Sequence, residues 1–432
     1  MKPARLLGCL TLAVALAWAW PAAALAQADP PDLDLEALVK EATSQNPEIQ
    51  AAVKKWEALS HKPAQAAALD DPMLSLGLVN VPSSLNLRSE DMTMTEVGIS
   101  QKLPFPGKRA LMSEMATQEA QAARQEVAEK TNQVVRGIKQ AYLELSHLYR
   151  ALEVARQNKQ VLEGLVGFAE SRYALGQASQ GELLKAQVEV SRMLDEIIML
   201  EQRQKAVESR LASLAARPPE AALGRPADPL PRRLAWGLAE LRQAALEHNP
   251  TLKAMRNMAQ AKTTAQELAK TEYYPDFNLR LAYGFRDNAE DYPRRDLVTG
   301  MVEINLPIWR EAKLERRQAE TKAEAQGAER RWQSMQNELF YMLAETHAML
   351  ERNQRQLELY QGGILPQARL QAASNLRSYA GAKGEFMPLL ESQMALYKFE
   401  LDYHQALTEQ AKNLAALEAL VGRPLPARGE DQ

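Results

Sequence analysis

The sequence has almost no cysteine: Cys9, near the N-terminus, is the single one among 432 residues. The rest of the chain can therefore form no disulfide framework and has no catalytic thiol. Phosphate-binding loops and nucleophile motifs are also missing. The histidines stand apart, without a partner at metal-ligand spacing; they are His61, His147, His248, His347 and His404. We therefore predict no catalytic residues, no metal site and no cofactor, in a protein that is not an enzyme.

An excess of charge of one sign is lacking too, with 52 Lys and Arg against 55 Asp and Glu and a formal net charge of −3. This balance does not favour nucleic acid as a partner. The carboxylates stand among Lys and Arg, as they do on solvated helix faces. Past the N-terminal region no run of about 18 apolar residues occurs, so we predict no transmembrane helix.

The N-terminus has the three parts of a secretory signal, namely Lys2 and Arg5, the apolar run Leu6–Trp20, and the motif Ala24-Leu25-Ala26. We predict a signal peptide over residues 1–26, cut before Gln27. The apolar run is too short for a membrane anchor. The stretch that ends at Cys9 is similar to a lipoprotein box, but too little apolar sequence precedes it, so we do not expect lipidation.

Proline is missing from Gly107 to Arg217, a stretch rich in strong helix formers. Its apolar residues recur every seven positions in two lanes, Val134, Ala141, Leu148, Ala155, Leu162 and Ala169, and Ile138, Leu145, Leu152, Val166 and Tyr173, the second broken by Lys159. This pattern is typical of helices that pack lengthwise on partners. Because Ala174–Ser179 contains a helix-stopping Gly and a capping Ser, we predict a helical hairpin over 108–217 whose first arm is ~100 Å long.

Several phrases return at a nearly constant distance. Asn46-Pro47 returns 203 residues later as Asn249-Pro250, and past the hairpin turn Leu183-Leu184 returns 206 residues later as Leu389-Leu390. The chain is therefore a duplicated helix-strand-strand-helix unit with a short insertion in the second copy. We predict repeats at 27–217 and 234–426, a linker at 218–233, a second hairpin at 308–422 and a tail at 427–432.

Each copy contains two strand-like runs, at about 73–80 and 93–103 and at about 276–286 and 297–307. The clearest run alternates, with Phe277, Leu279, Leu281, Tyr283 and Phe285 on its apolar side. A small half-buried sheet would alternate in the same way. Strands of about ten residues in an exported protein, with Arg280 and Glu303 on the polar side, favour membrane strands whose apolar side faces lipid.

Four strands cannot close a barrel, and lipid tolerates no open edge, so several chains must share one barrel. Two chains would supply eight strands, whose interior side chains fill, and three would supply twelve and leave a passage.

The sequence resembles the TolC family of outer-membrane efflux proteins over nearly the whole mature chain. The matching phrases are Gln45–Glu48, Gln101–Arg109, Arg172–Gly176 and Leu183–Gln187, in the order of the repeated unit. The resemblance implies a mainly α-helical homotrimer, with a 12-stranded β-barrel in the outer-membrane lipid continued by a long periplasmic α-helical barrel. It also implies a passive exit duct that works with a periplasmic adaptor (membrane fusion protein) and an inner-membrane RND-type pump.

Within the family, Asp71-Pro72-Met73 and Pro104–Lys108 look most like the CusC/CzcC heavy-metal branch, which implies heavy-metal cations as cargo. Met73, Met92 and Met94 suggest copper, although ordinary loop or membrane-facing methionines are the simpler and favoured explanation. A general drug-efflux or type I secretion duct of the same family stays open. The alternative from another class is a periplasmic coiled-coil adaptor.

The resemblance places two functions at the hairpin tips, at the periplasmic end. The candidates for adaptor docking are Leu175, Gly176, Gly381 and Lys383, where the glycines permit tight turns or are turn residues only. The candidates for a periplasmic gate are Tyr379, Glu385 and Glu391. Gly384 and Pro388 stand where the family has an Arg and a carboxylate, so its closed-state ion-pair network cannot be carried over whole. Inward carboxylates would form threefold rings that attract cations, unless Glu391 only pairs with a neighbouring helix.

Overall fold

The computed structural model describes residues 32–85, 88, 90–289, 292–381 and 383–426. The predicted signal peptide, its cleavage site, Cys9 and the predicted tail lie outside these residues. The first half of the chain contains β1 Asp32–Leu33, α1 Leu35–Gln45, α2 Pro47–Ser60, α3 Lys62–Ala67, β2 Met73–Val79, β3 Met94–Leu103, α4 Lys108–Ala174 and α5 Gln180–Leu214. The 67-residue α4 and the following α5 form a long hairpin.

The second half repeats this order of elements. It contains β4 Arg225–Pro226, α6 Leu238–His248, α7 Pro250–Thr271, β5 Phe277–Phe285, β6 Leu297–Ile304, α8 Arg316–Leu359, α9 Leu365–Ala380 and α10 Phe386–Val421. Two π-helical segments, Arg310–Glu315 and Tyr360–Ile364, flank α8. The counterpart of α4 in the second half is therefore one continuous helical rod from 310 to 380 that contains these two wider, π-helical segments. The sequence pattern does not predict them.

The four long strands form one antiparallel sheet in the order β2-β3-β5-β6. Its register aligns Leu76 with Val97, Val97 with Tyr283, and Tyr283 with Val298. Successive side chains of a strand point to opposite faces, so this row shares one face of the sheet. The short strands β1 and β4 pair in parallel at a separate place, and β4 lies within the segment predicted as a linker.

The helical part is organised around α4, which packs on α5, α7 and α10. Its buried residues follow the heptad lanes, among them Val134, Ile138, Ala141, Leu145 and Leu148. The predicted lengthwise packing is confirmed along most of the helix, and it stops before the exposed Tyr173. Over the described ranges, no helix combines the length and apolar character needed to cross a membrane.

Candidate functional site

The first hairpin tip is a short turn between α4 and α5. Gly176 adopts φ +72, a left-handed conformation that favours glycine. Ser179 then begins α5, and its side-chain oxygen accepts a hydrogen bond from Glu182 N at 3.2 Å. The side chain of Leu175 projects into solvent, as a docking residue requires.

At the second tip, between α9 and α10, the backbone at Gly384 comes close to the backbone of Ser378 and Tyr379. Gly381 has φ −80, which any residue can adopt, so this conformation does not require glycine and favours the alternative that Gly381 is a turn residue only. A Cβ on Gly384 would lie 3.0 Å from Tyr379 N and from the carbonyl carbon of Ser378, so a larger residue would have to displace this backbone by a few tenths of an ångström. The close approach favours glycine over the Arg that the family resemblance implies at this position. The neighbouring Lys383 is exposed.

Tyr379 joins the two tips. It is only 1% exposed, and its hydroxyl donates to Glu182 Oε2 of the first tip at 3.3 Å. The guanidinium of Arg172 lies 4.7 Å from the centroid of the Tyr379 ring, and Arg172 Nη1 donates to the Tyr379 carbonyl oxygen at 3.3 Å. The rings of Phe168 and Phe386 each pack with centroids 5.6 Å away. The two tips therefore form one packed unit within a chain.

This cluster differs from a pore-facing tyrosine. Burial, together with the charge of Glu182, raises the pKa of the Tyr379 hydroxyl, so the phenol stays a proton donor. The sequence motifs do not identify Arg172 and Glu182 as partners of Tyr379, although Arg172 belongs to the phrase Arg172–Gly176 and Glu182 directly precedes the phrase Leu183–Gln187. The part that Tyr379 plays in narrowing a tunnel stays a prediction.

Glu385 and Glu391 are both exposed. Glu385 precedes α10 without capping it through its side chain. Glu391 lies on the side of α10 opposite the buried Leu389 and Leu390. Their positions permit a carboxylate ring, and the ring itself stays a prediction.

One face of the sheet, the outer face, is apolar on all four strands except at Thr95 and Gln101 of β3. The five candidate lipid-facing residues of β5 share it with neighbours that the register aligns, namely Leu74, Leu76, Leu78, Ile99, Val298, Val302 and Ile304. Most of these side chains are exposed, and Leu281 is 57% exposed. A soluble monomer rarely exposes so continuous an apolar surface.

The opposite, inner face is mostly polar or small, and its larger apolar residues are Met73, Val79, Met94, Leu297 and Met301. Arg280 forms an ion pair with Glu96 across the strands, and Asn278 Nδ2 donates to Glu303 Oε2 at 2.6 Å. Ala282 is buried at 3% exposure. Apolar residues outside and paired polar residues inside are typical of membrane strands around a wet lumen.

An ion pair between a buried lysine and a partly exposed aspartate lies at the joint between sheet and helices. Lys108, at the start of α4, is 8% exposed and lies 2.7 Å from Asp276 Oδ1, just before β5. The same carboxylate oxygen accepts from Phe105 N at 2.8 Å, and the Phe105 ring stacks on Tyr274 at 4.5 Å. The joint therefore connects the two repeats rigidly where strands become helices.

A family model described as "Outer membrane efflux protein" matches residues 38–217 and 241–423. The chain belongs to the outer membrane efflux protein family. The TolC-like family predicted from sequence motifs is thus confirmed. As a member the protein is an outer-membrane efflux channel of tripartite systems with its helical part in the periplasm, and it is not an enzyme.

Solved structures share the fold. VceC from Vibrio cholerae is 19% identical, with a TM-score of 0.77, and the match covers 91% of this chain and 97% of that one. CusC is 14% identical, with a TM-score of 0.76 and coverage of 91% and 93%. The open state of the Neisseria gonorrhoeae MtrE channel is 17% identical, with a TM-score of 0.73 and coverage of 90% and 89%. Among curated protein sequences there is no significant match.

These likenesses confirm the predicted fold class, a helical barrel joined to a β-barrel. They do not single out the CusC/CzcC branch, because CusC is one of several similar channels. Family membership also leaves the periplasmic adaptor alternative without support.

Proposed function

We propose that three copies of this chain close one barrel and form a passive exit duct for substrates handed over from the periplasm. The observation that carries the proposal is the open sheet with its apolar outer face. Its edge strands β2 and β6 each have one partner strand among the described residues, and such edges need partners in lipid. Three copies supply twelve strands, enough to leave a passage.

The helices support the same assembly. In one chain α4 packs on α5 and α10, and α10 packs on α9, so α5 and α9 stand at the two sides of the helical layer. Both carry exposed apolar residues, among them Val188 and Ile198 on α5 and Leu370 on α9. Packing α5 of one copy on α9 of the next would cover these residues and close a helical barrel.

The duplication defines how the edges would pair. Within the chain, β3 pairs with β5 so that Leu103 faces Phe277. The same register, moved by one repeat, pairs β6 of one copy with β2 of the next and sets Ile304 opposite Leu76. A thiol cross-linker should therefore join Leu76→Cys to Ile304→Cys between copies, whereas Leu76→Cys with Val298→Cys should react poorly.

Mass measurement of the native protein in detergent should give three chains. A stable monomer, or a particle of two chains, would overturn the trimer. Cross-linking at Val298 in preference to Ile304 would reject the register and leave the trimer standing.

A periplasmic adaptor and an RND-type pump complete the proposed machine, with docking at the exposed tip residues Leu175, Gly176, Gly381 and Lys383. Photo-cross-linkers at Leu175 or Lys383 should capture the adaptor in an assembled pump. Clean failure at both positions would place docking elsewhere.

Heavy-metal cations are the proposed cargo, supported by the motif resemblance and by the exposed carboxylates Glu385 and Glu391. Organic compounds are the second candidate, because the similar channels are not confined to one branch. Deleting the channel in its native cell and measuring tolerance to copper, silver, zinc and an organic dye decides between them. Dye sensitivity without metal sensitivity would reject the metal cargo.

A further inference from the structure

One turn of α10 contacts both the first hairpin and the other arm of the second hairpin. This other arm, called the outer arm here, consists of α8, the π-helical segment Tyr360–Ile364 and α9. Towards the first hairpin, Arg150 Nε of α4 donates to His404 Nε2 at 3.2 Å. Towards the outer arm, Gln361 Nε2 donates to Tyr403 Oη at 2.7 Å. The neighbouring residues Tyr403 and His404 of α10 therefore bond in opposite directions, one to the outer arm and one to the first hairpin.

The outer arm is irregular at this level. Gln361 belongs to the π-helical segment Tyr360–Ile364, which contains Gly362 and Gly363. A Cβ on Gly362 would meet nothing within 4 Å. The first hairpin has the regular helix α4 at the corresponding place. Because π-turns are rare and concentrate at functional sites, and glycine loosens a helix, this segment is suited to act as a hinge.

Two clefts flank the contact. One of about 170 Å³ lies towards Asp228 and Pro229, and one of about 400 Å³ lies towards Gln361 and Pro366. Arg150, Tyr403 and His404 line both clefts. A rearrangement of these side chains therefore has space on either side.

We propose that the Arg150–His404 hydrogen bond is an acid-sensitive latch that holds the hinge segment Tyr360–Ile364 of the second hairpin in its packed position. The second hairpin ends in the tip that carries the gate candidates, so release of the latch would loosen that tip. This consequence for gating rests on the proposed duct, whereas the latch itself is a property of one chain.

The chemistry of imidazole explains the acid sensitivity. Neutral His404 can accept at Nε2 only while its proton sits on Nδ1, and protonated imidazole has no acceptor. Protonation therefore removes the bond from Arg150 and places two cations side by side. Burial, followed by the charge of Arg150, lowers the pKa of His404 below 6.5. The latch is accordingly closed at neutral pH and opens in acid.

Charged groups of every adjoining element act on His404. Arg150, Glu153 and the titratable His147 come from α4, Asp228 from the segment between the repeats, and Glu400 from α10 itself. Arg369 of α9 lies 2.9 Å from Glu400, which partly neutralises that carboxylate. The carboxylates favour the protonated form, and they are outweighed by burial and Arg150.

Hydrogen exchange of the full chain tests the latch. Amides of the peptide 360–366 should exchange faster, after correction for the intrinsic rate, as the pH falls from about 6.5, the ordinary pKa of imidazole, to the lowered pKa of His404. Because opening binds one proton in this window, the expected gain there is about tenfold per pH unit, and it should level off below the lowered pKa, where both states are protonated. The measurement needs no trimer, so a failed latch and a failed assembly are distinguishable.

Two variants sharpen the result. In His404→Gln the amide oxygen accepts from Arg150 at every pH, so the acid response should vanish with slow exchange retained. In Arg150→Gln the latch bond is weakened throughout, so exchange should be fast even at neutral pH. His248→Gln, a partly exposed histidine of α6, should leave the response intact. An unchanged acid response in His404→Gln, or none in the wild type, would overturn the proposal.

Discussion

Asn46 and Asn249 occupy the same position in the two repeats and make the same pair of contacts. The side-chain oxygen of each caps a helix, from Glu48 N to Asn46 at 2.9 Å and from Leu252 N to Asn249 at 2.8 Å. The side-chain nitrogen of each donates to the end of its hairpin, Leu214 O at 3.1 Å and Leu420 O at 2.8 Å. One buried amide thus fixes a short helix to a long hairpin in each repeat.

Replacing this amide should destabilise the protein. Asn249→Ala removes a cap and leaves a buried carbonyl without its donor, which together cost about 2–3 kcal/mol. The midpoint temperature of helix loss in detergent should fall, and Asn46→Ala should behave alike. Asn337→Ala, on an exposed position of α8, is the control and should change little. Equal midpoint temperatures for Asn249→Ala and Asn337→Ala would show that the Asn249 amide does not stabilise the contact between the short helix and the hairpin.

The two hairpins end in different residues at the same left-handed position, and the effect of each residue on stability can be tested. Gly422 has φ +87, and a Cβ there would lie 2.7 Å from His248 O. Its counterpart 206 residues earlier is Ala216, which holds φ +60. We expect Gly422→Ala to cost at least about 1–2 kcal/mol through left-handed strain and this clash.

Ala216→Gly is the matched opposite substitution. It relieves about 1 kcal/mol of strain but loses 0.4–1 kcal/mol, roughly, to the freer unfolded chain, so its net effect should be small. Thermal unfolding of both variants measures the difference. If Gly422→Ala were as mild as Ala216→Gly, the left-handed conformation would not matter at this site.

Periodicity in the sequence predicts the architecture because long-range packing here follows local pattern. The seven-residue repeat of apolar residues in α4 predicts which of its residues are buried, and the alternation in β5 predicts which of its residues share the outer face. The π-helical segments could not be predicted in this way. Arg310–Glu315 consists of ordinary helix formers, and the two glycines of Tyr360–Ile364 loosen a helix without specifying a wider turn. The unit of Arg172, Tyr379 and Glu182 could not be predicted either. Tyr379 lies 207 residues from Arg172 and 197 from Glu182, so it meets them only after the hairpins pack.

The outer face of β5 should reject charge. Leu281→Arg at mid-strand should cost about 2–4 kcal/mol in lipid and reduce assembly in the membrane, measured as heat-resistant oligomer in outer-membrane fractions. The suitable control is Thr299→Arg, because Thr299 is exposed on the opposite face of the sheet. Ala282→Arg is unsuitable, since a Cβ on Gly98 would already lie 3.3 Å from the Ala282 Cβ. Similar losses in Leu281→Arg and Thr299→Arg would reverse the assignment of faces.

The exposed carboxylates at the second tip should set ion preference. In a trimer each would occur three times around the axis, and removing them should lower the preference for cations. We expect Glu385→Ala combined with Glu391→Ala to reduce the cation-to-anion permeability ratio in single-channel recordings, with the oligomer intact. Glu220→Ala, in the segment between the repeats, is the control. Unchanged selectivity in an intact oligomer would remove both residues from the gate.

His147 should make the protein acid-sensitive independently of the latch. Burial on α4, followed by the charges of Lys412, His404 and Arg203, lowers the pKa of His147 from 6.5 to about 4. Over the described residues its Nδ1 is buried without a hydrogen-bond partner. Between pH 6.5 and 4 the unfolded chain therefore binds a proton that the folded chain does not.

The free energy of unfolding should accordingly fall as the pH drops through this window, by about 2–3 kcal/mol for this group. The loss should be complete below about pH 4, where both states are protonated. His147→Gln should flatten this part of the curve, while His61→Gln, at an exposed position between α2 and α3, should not. Thermal unfolding at pH 7, 5.5 and 4 measures the effect. Because the latch depends on His404, His147→Gln should keep the acid-induced exchange at 360–366, and its loss there would show that the two histidines act as one coupled group.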